Sequence, residues 1–280
     1  MRTKAMLLSV LLTCGLGTSN TGAQSGPTGK IAFVKKGDLY LLHLDNGLVQ
    51  RITATSQSTE YTPRLSPDGT RIAFYSVRKN ILEGIYVMQA APEGPANARL
   101  RLTTFGDIPA WSPDGARIAF GGQGIWVMNA DGSGLVQLTT FGGMPAWSPN
   151  GAQIAFVSSL NSADRDLWMM NADGSGAQPI LSLPGDDIEP AWTPSGTIAL
   201  SRYTDRKNDL DIYTFDPVAR VLSRLTAGST GDAWPAWSPD AAWIVFSRFS
   251  NASSGIYVMP ADGSQMPAFV TDGYHASWGP

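Results

Sequence analysis

One seven-residue segment recurs through this chain, and its spacing restricts the fold more than any other feature. Pro109-Ala110-Trp111-Ser112-Pro113-Asp114-Gly115 returns as Pro145-Ala146-Trp147-Ser148-Pro149-Asn150-Gly151. It returns again as Pro190-Ala191-Trp192-Thr193-Pro194-Ser195-Gly196 and as Pro235-Ala236-Trp237-Ser238-Pro239-Asp240-Ala241. A divergent copy runs from Pro63 to Gly69, and a shortened one is Ala276-Ser277-Trp278-Gly279-Pro280. The second prolines of the copies, Pro67, Pro113, Pro149, Pro194, Pro239 and Pro280, are separated by 46, 36, 45, 45 and 41 residues. Periods of this size mark an array of one supersecondary unit, each copy of which cannot bury its apolar face alone.

Each copy is followed by the same grammar. An apolar run comes first: Ile72-Ala73-Phe74, Ile118-Ala119-Phe120, Ile154-Ala155-Phe156, Ile198-Ala199-Leu200 and Ile244-Val245-Phe246. An aromatic-bearing run such as Ile125-Trp126-Val127-Met128 follows, then a turn such as Asn129-Ala130-Asp131-Gly132 and a short closing segment like Gln137-Leu138-Thr139. Short runs rich in Ile, Val, Phe, Tyr and Trp suit strands packed on both faces. Ser-Pro-Asp-Gly supplies proline where φ is preset and glycine where φ is positive, so it reads as a tight turn. Five of the nine tryptophans hold the same repeat position, which marks them as wedges between units rather than as five binding sites. No long stretch of period 3.6 is present.

Residues 30 to 53 supply Ile31-Ala32-Phe33, Leu39-Tyr40-Leu41-Leu42 and Gln50-Arg51-Ile52-Thr53, three of the four strands of a unit. The missing strand is the copy at Ala276–Trp278. The sequence thus predicts an all-β chain, a six-bladed β-propeller of four-stranded antiparallel blades, closed where the C-terminal strand joins the N-terminal blade.

The Pro-Ala-Trp-Ser-Pro-Asp-Gly, Ile-Ala-Phe, Ile-Tyr-Val-Met, Asp-Gly-Ser and Leu-Thr elements, in that order, resemble the WD-like repeat of the TolB-like six-bladed propellers. The resemblance covers about residues 30 to 280. It implies a periplasmic binding role, since TolB works in the Tol–Pal envelope system and its propeller binds the lipoprotein Pal. TolB carries an α/β domain ahead of its propeller, and nothing before residue 30 resembles one. A propeller-only, TolB-like binding protein is what the resemblance implies.

The first residues have their own logic. Arg2 and Lys4 precede the apolar run Ala5 to Leu12, and Thr21-Gly22-Ala23 offers a small-residue cleavage site, the layout of a secretory signal peptide. The apolar run is too short to span a bilayer. The expected organisation is a signal peptide over 1–23, a flexible linker over 24–29 and the propeller over 30–280, in a periplasmic or secreted protein with no integral membrane segment after cleavage. Cys14 is the only cysteine. Leu11-Leu12-Thr13-Cys14 also resembles a lipobox, so a lipoprotein anchored through Cys14 is the alternative.

Composition removes several functions. The net charge is −3, against the basic face of nucleic-acid binders. Asn129 to Gly134 and Asn171 to Gly176 resemble the start of a calcium loop, but the twelfth positions hold Thr140 and Ser182 instead of glutamate, so both read as hairpin turns. Only His43 and His275 exist, too few for a multi-histidine metal site, and there is no Gly-x-Ser-x-Gly elbow. No metal, cofactor or catalytic residue is expected.

The mouth of the ring is the candidate site, through Tyr61, Asp107, Met144, Glu189, Trp234 and His275. These residues vary while the flanking motif stays fixed, and Glu60, Asp186, Asp187, Asp232 and Asp272 are expected to make the same end acidic. Arg64 stands where the other copies have Ala110, Ala146, Ala191 and Ala236, and either pairs with a mouth carboxylate or fills space. The expected function is non-catalytic binding of a protein partner at this mouth. The alternative is a carbohydrate-binding or lyase-type propeller, with Trp234, Tyr61 and Tyr274 as stacking surfaces.

Overall fold

The computed structural model describes residues 26–54, 58–78, 82–92, 98–204, 210–228, 231–250 and 254–280. The expected signal peptide and Cys14 lie outside the described residues. Six four-stranded antiparallel sheets form the blades of a propeller. Blade 1 takes its innermost strand from Tyr274–Gly279 and its other three from Lys30–Lys35, Asp38–His43 and Leu48–Arg51. Blades 2 to 6 are meanders whose innermost strands are Ser58–Leu65, Asp107–Trp111, Gly143–Trp147, Asp187–Trp192 and Gly231–Trp237. The fold is the one the repeat predicts, including the closure of blade 1 by the C-terminal strand.

Burial explains the repeat. The apolar clusters lie between neighbouring blades: Ala32, Val34, Leu39 and Leu41 of blade 1 pack on Leu65, Ile72, Phe74 and Met88 of blade 2. The phenylalanines Phe33, Phe74, Phe120, Phe156 and Phe246 are fully buried at equivalent points. The repeated tryptophans lock this packing with a polar contact. The indole nitrogens of Trp111, Trp192 and Trp237 donate to the carbonyls of Arg64, Ala146 and Ala191 on the preceding blades, at 2.9, 3.1 and 3.0 Å. Trp278 instead reaches the carbonyl of Thr28 at 2.8 Å, fastening the chain just before its first strand. Arg71 and Arg117 cover the rings of Trp111 and Trp147 at 4.6 and 4.5 Å. The wedge role is structural.

The two ends of the ring differ by construction. In a meander, the turn from first to second strand and the turn from third to fourth share one face. The hairpin from second to third strand shares the other with the link into each innermost strand. The first face carries the Ser-Pro turns, held by bonds such as Ser66 Oγ to Asp68 and the Arg71 amide to Ser66 Oγ. The calcium-like segments lie here too, as turns in which Asp131 and Asp173 accept from Ser133 and Ser175. The second face is the mouth.

Candidate functional site

Each innermost strand enters the ring through the same irregularity. Pairing with the second strand shifts between Tyr61 and Arg64, Asp107 and Ala110, Gly143 and Ala146, Ile188 and Ala191, and Ala233 and Ala236. The closing strand shows the same break, against Ala32 and Val34. Inside each bulge stands one non-glycine residue with positive φ: Thr62 (46°), Ile108 (48°), Met144 (54°), Glu189 (59°), Trp234 (59°) and His275 (55°). Positive φ is uncommon outside glycine and an outlier for β-branched Thr62 and Ile108. Bulges re-aim side chains, and such outliers gather where structure serves function.

This ring corrects the expected register in two blades. Met144, Glu189, Trp234 and His275 occupy it, but Tyr61 and Asp107 stand one residue upstream, and Thr62 and Ile108 hold the equivalent positions. The signal was present in the sequence, since the ring residue directly precedes Pro63 and Pro109 as Met144 precedes Pro145.

Half of the ring is an arc joined by hydrogen bonds and aromatic contacts. The Trp234 amide donates to Glu189 Oε2 at 2.7 Å and lies 3.2 Å from Ser201 Oγ, while the Ser201 hydroxyl donates to the same Glu189 oxygen at 2.5 Å. The His275 amide donates to Ser247 Oγ at 2.9 Å, and the Thr62 amide approaches His275 Nδ1 at 3.4 Å. Trp234, Tyr274 and Tyr61 converge on the His275 ring, with centroids 4.3, 4.9 and 6.2 Å away. Burial, then the nearby Arg64 charge, pushes the His275 imidazole down to about 3, so it is neutral and able to accept. Burial raises Glu189 above the usual carboxylate range, against its two donors and Arg64. Ser201 and Ser247, which directly follow the Ile-Ala-Phe equivalents, were not singled out in the sequence.

The other half of the ring is open. Two clefts of about 400 and 410 Å³ meet at Gly142-Gly143-Met144. One is walled by Tyr75, Glu83 and Asp107, whose carboxyl is raised by burial, and the other by Phe141, Leu160 and Arg165. Leu160 is 56% exposed. The opening follows from the short blade 3, whose second and third strands are joined only by Gly122-Gln123-Gly124.

The expected acidic face is not present as free charge. Glu60 pairs with Arg99 at 2.9 Å, Asp186 with Arg165 at 2.7 Å, Asp232 with Arg248 at 2.6 Å and Asp272 with Lys35 at 3.5 Å, while Asp187 is bonded to Arg202. The partners come from strands and loops distant in sequence, so composition along one segment could not reveal them. Arg64 lies inside the ring and makes no direct pair with a mouth carboxylate; it feels Glu189 only through its field. Among the described residues, no group of three or more His, Cys, Asp or Glu side chains could hold a metal ion, and no helix is long and apolar enough to cross a membrane.

Fold and site together define a six-bladed propeller with WD-like repeats and a bulge-built mouth. Within that class the chain resembles the TolB-like propellers. Residues 144–279 match the family described as the TolB beta propeller domain. TolB from Acinetobacter baumannii superposes with a TM-score of 0.75 at 18% identity, over 90% of this chain and 67% of that one. A putative TolB from Agrobacterium tumefaciens gives 0.70 at 17% identity, over 90% and 92%. In sequence, a Streptomyces coelicolor protein called tricorn protease homolog 1 is 36% identical over 95 residues, 32% of this chain and 8% of that protein. The chain therefore spans a small part of that relative. Hydrolases and lyases with the same fold are similar at 17% identity or less, a likeness that reaches the fold alone.

Proposed function

We propose that this protein is an exported, non-catalytic binding protein of the cell envelope that holds a protein partner at the propeller mouth. The observation that carries this reading is the pair of clefts meeting at Met144, on a face where one residue per blade is freed from the repeat and held in a strained, re-aimed conformation. Paired clefts with an exposed leucine at the rim suit an apolar anchor from a partner, which interfaces use at their centres. The charged N-terminal layout supports export, and the TolB-like propeller supports a Pal-like envelope lipoprotein as the partner to test first. The ion-paired carboxylates turn the reading from charge attraction toward shape and apolar contact. The carbohydrate alternative is less well supported, because Trp234, Tyr61 and Tyr274 pack toward His275 instead of standing free as stacking surfaces.

The experiment is site-specific photo-crosslinking in intact cells. A photo-reactive side chain at Leu160, on the mouth face, should capture a discrete partner protein. The same group at Val218, 93% exposed on the opposite face, should capture none. Capture at Val218 with none at Leu160 would remove the mouth from consideration.

A further inference from the structure

A second site lies on the axis, beneath the mouth. A cavity of about 330 Å³ runs along the ring centre to the Ser-Pro turns, walled by the repeated tryptophans and prolines and by none of the six bulge residues. At one layer its wall is Ala110, Ala146, Ala191, Ala236 and Ser277, five small residues contributed by five blades. The sixth blade contributes Arg64. One long cation thus projects into a space that the other five copies leave open.

Arg64 is partly exposed and lines this cavity, with Glu189 and His275 of the mouth ring within reach of its field. Burial draws its guanidinium down to about 10, opposed by the field of Glu189, so it remains charged near neutrality. Among the described residues no carboxylate stands within ion-pair distance of it and no hydrogen bond from its side chain is made. A guanidinium carries five donors, and holding it partly away from water without a partner is unfavourable. The repeat shows that the fold does not need it, because alanine serves in four other blades. Retaining an unpaired cation where alanine would suffice is what a ligand-binding group looks like.

We infer that the axial cavity is a carboxylate site, in which Arg64 receives one carboxylate and the tryptophan-proline wall takes an apolar body. Planar, two-pronged guanidinium donors match a carboxylate. The entrance narrows the class. Asp68, Asp114 and Asp240 stand on the Ser-Pro turns of that face, and their own turn hydrogen bonds hold Asp68 and Asp114 below the usual carboxylate range. Arg71 and Arg117 stand beside Asp68 and Asp114, so the entrance carries little net charge. The single guanidinium with its apolar wall fits a singly charged acid with an apolar remainder. Such a group belongs either to a small organic acid or to the C-terminus of an extended apolar peptide. This site does not depend on the mouth reading, since it opens on the other face.

Titration calorimetry on the purified protein, with hexanoate and with acetyl-Ala-Leu-Ala as a free acid or a C-terminal amide, tests it. At least one acid should bind, the amide should bind more weakly, and Arg64→Ala should reduce acid affinity by about tenfold or more, the size of a lost charge-assisted hydrogen bond. Thermal unfolding of Arg64→Ala should match or exceed that of the parent, because the change restores the residue found in other blades. Binding of hexanoate alone identifies a small-molecule site, and binding of the peptide acid alone a chain terminus. No binding by either acid, undiminished binding by Arg64→Ala, or a clear fall in its melting temperature would overturn the inference.

Discussion

At the scale of single residues, the mouth contains groups whose burial dictates how they respond to pH and substitution. His275 refuses, in the folded protein, a proton that the unfolded chain accepts near its ordinary value of 6.5. Its contribution to stability is complete above that value and is lost as pH falls from about 6.5 toward about 3. Melting curves of the parent should therefore fall more steeply below pH 6.5 than those of His275→Gln, which keeps an acceptor for the Thr62 amide but cannot titrate. Parallel pH profiles would refute the assignment. Glu189 gives a second contrast. Glu189→Ala leaves the Ser201 hydroxyl without its acceptor and the Trp234 amide with only the longer bond to Ser201 Oγ, and should cost about 1–3 kcal/mol in urea unfolding. Asp107→Asn, in the open cleft, should stay within about 0.5 kcal/mol. Equal losses would mean that Glu189 is a rim residue after all.

At the scale of elements, the Ser-Pro turns set out a substitution series that the protein has already begun. Gly69, Gly115, Gly151 and Gly196 hold the last turn position at φ of 66°, 67°, 68° and 93°, whereas blade 6 places Ala241 there at 58°. A Cβ in this region costs about 1–2 kcal/mol. Ala241→Gly should therefore raise stability by about 0.5–1 kcal/mol, the remainder offset by the greater freedom of glycine in the unfolded chain. Gly115→Ala should lower it by a similar amount, since a Cβ there meets nothing nearer than Pro67 Cδ at 3.7 Å and the cost is the backbone alone. Calorimetric melting of both variants checks the pair, and two changes of the same sign would refute it. These turns also show why the fold was legible in the sequence. Strand order, turn type and wedge position are local and written several times over, so each copy corroborates the others. The mouth was less legible for two physical reasons. A bulge inserts one residue into a period-two pattern, so counting from Tyr61 or Asp107 lands one position off. The ion pairs such as Asp232–Arg248 and Glu60–Arg99 join positions 16 and 39 residues apart within one blade, and strand pairing rather than any local motif brings them together.

At the scale of the whole molecule, stability depends on one joint. A ring of blades has no free sheet edge facing its neighbours only while blade 1 is complete, and its innermost strand arrives from the far end of the chain. Tyr274–Gly279 pairs with Lys30–Lys35 and lays Trp278 into a cluster with Ile31 and Phe33 of its own blade and Trp243, Val245 and Ile256 of blade 6. Three smaller contacts tighten the joint: the indole bond to Thr28, the Leu44 amide bonded to the Gly29 carbonyl at 3.0 Å, and Pro280 seated over Gly69. A Cβ on Gly69 would stand 2.7 Å from the Pro280 carbonyl oxygen, so the turn of blade 2 is shaped to receive the last residue. Trp278→Ala should cost about 3–5 kcal/mol, the range for truncating a buried tryptophan, against a usual net stability of about 5–15 kcal/mol. Removing residues 273–280 takes away a whole strand, leaves the backbone of Lys30–Lys35 unpaired on one side and uncovers the blade 6 interface. That deletion should unfold or aggregate, as read by circular dichroism and light scattering. A substitution of Thr28 to proline, which keeps the carbonyl that Trp278 uses, should be far milder. If the protein lacking residues 273–280 melts at the parent temperature, the ring is closed by something other than this strand.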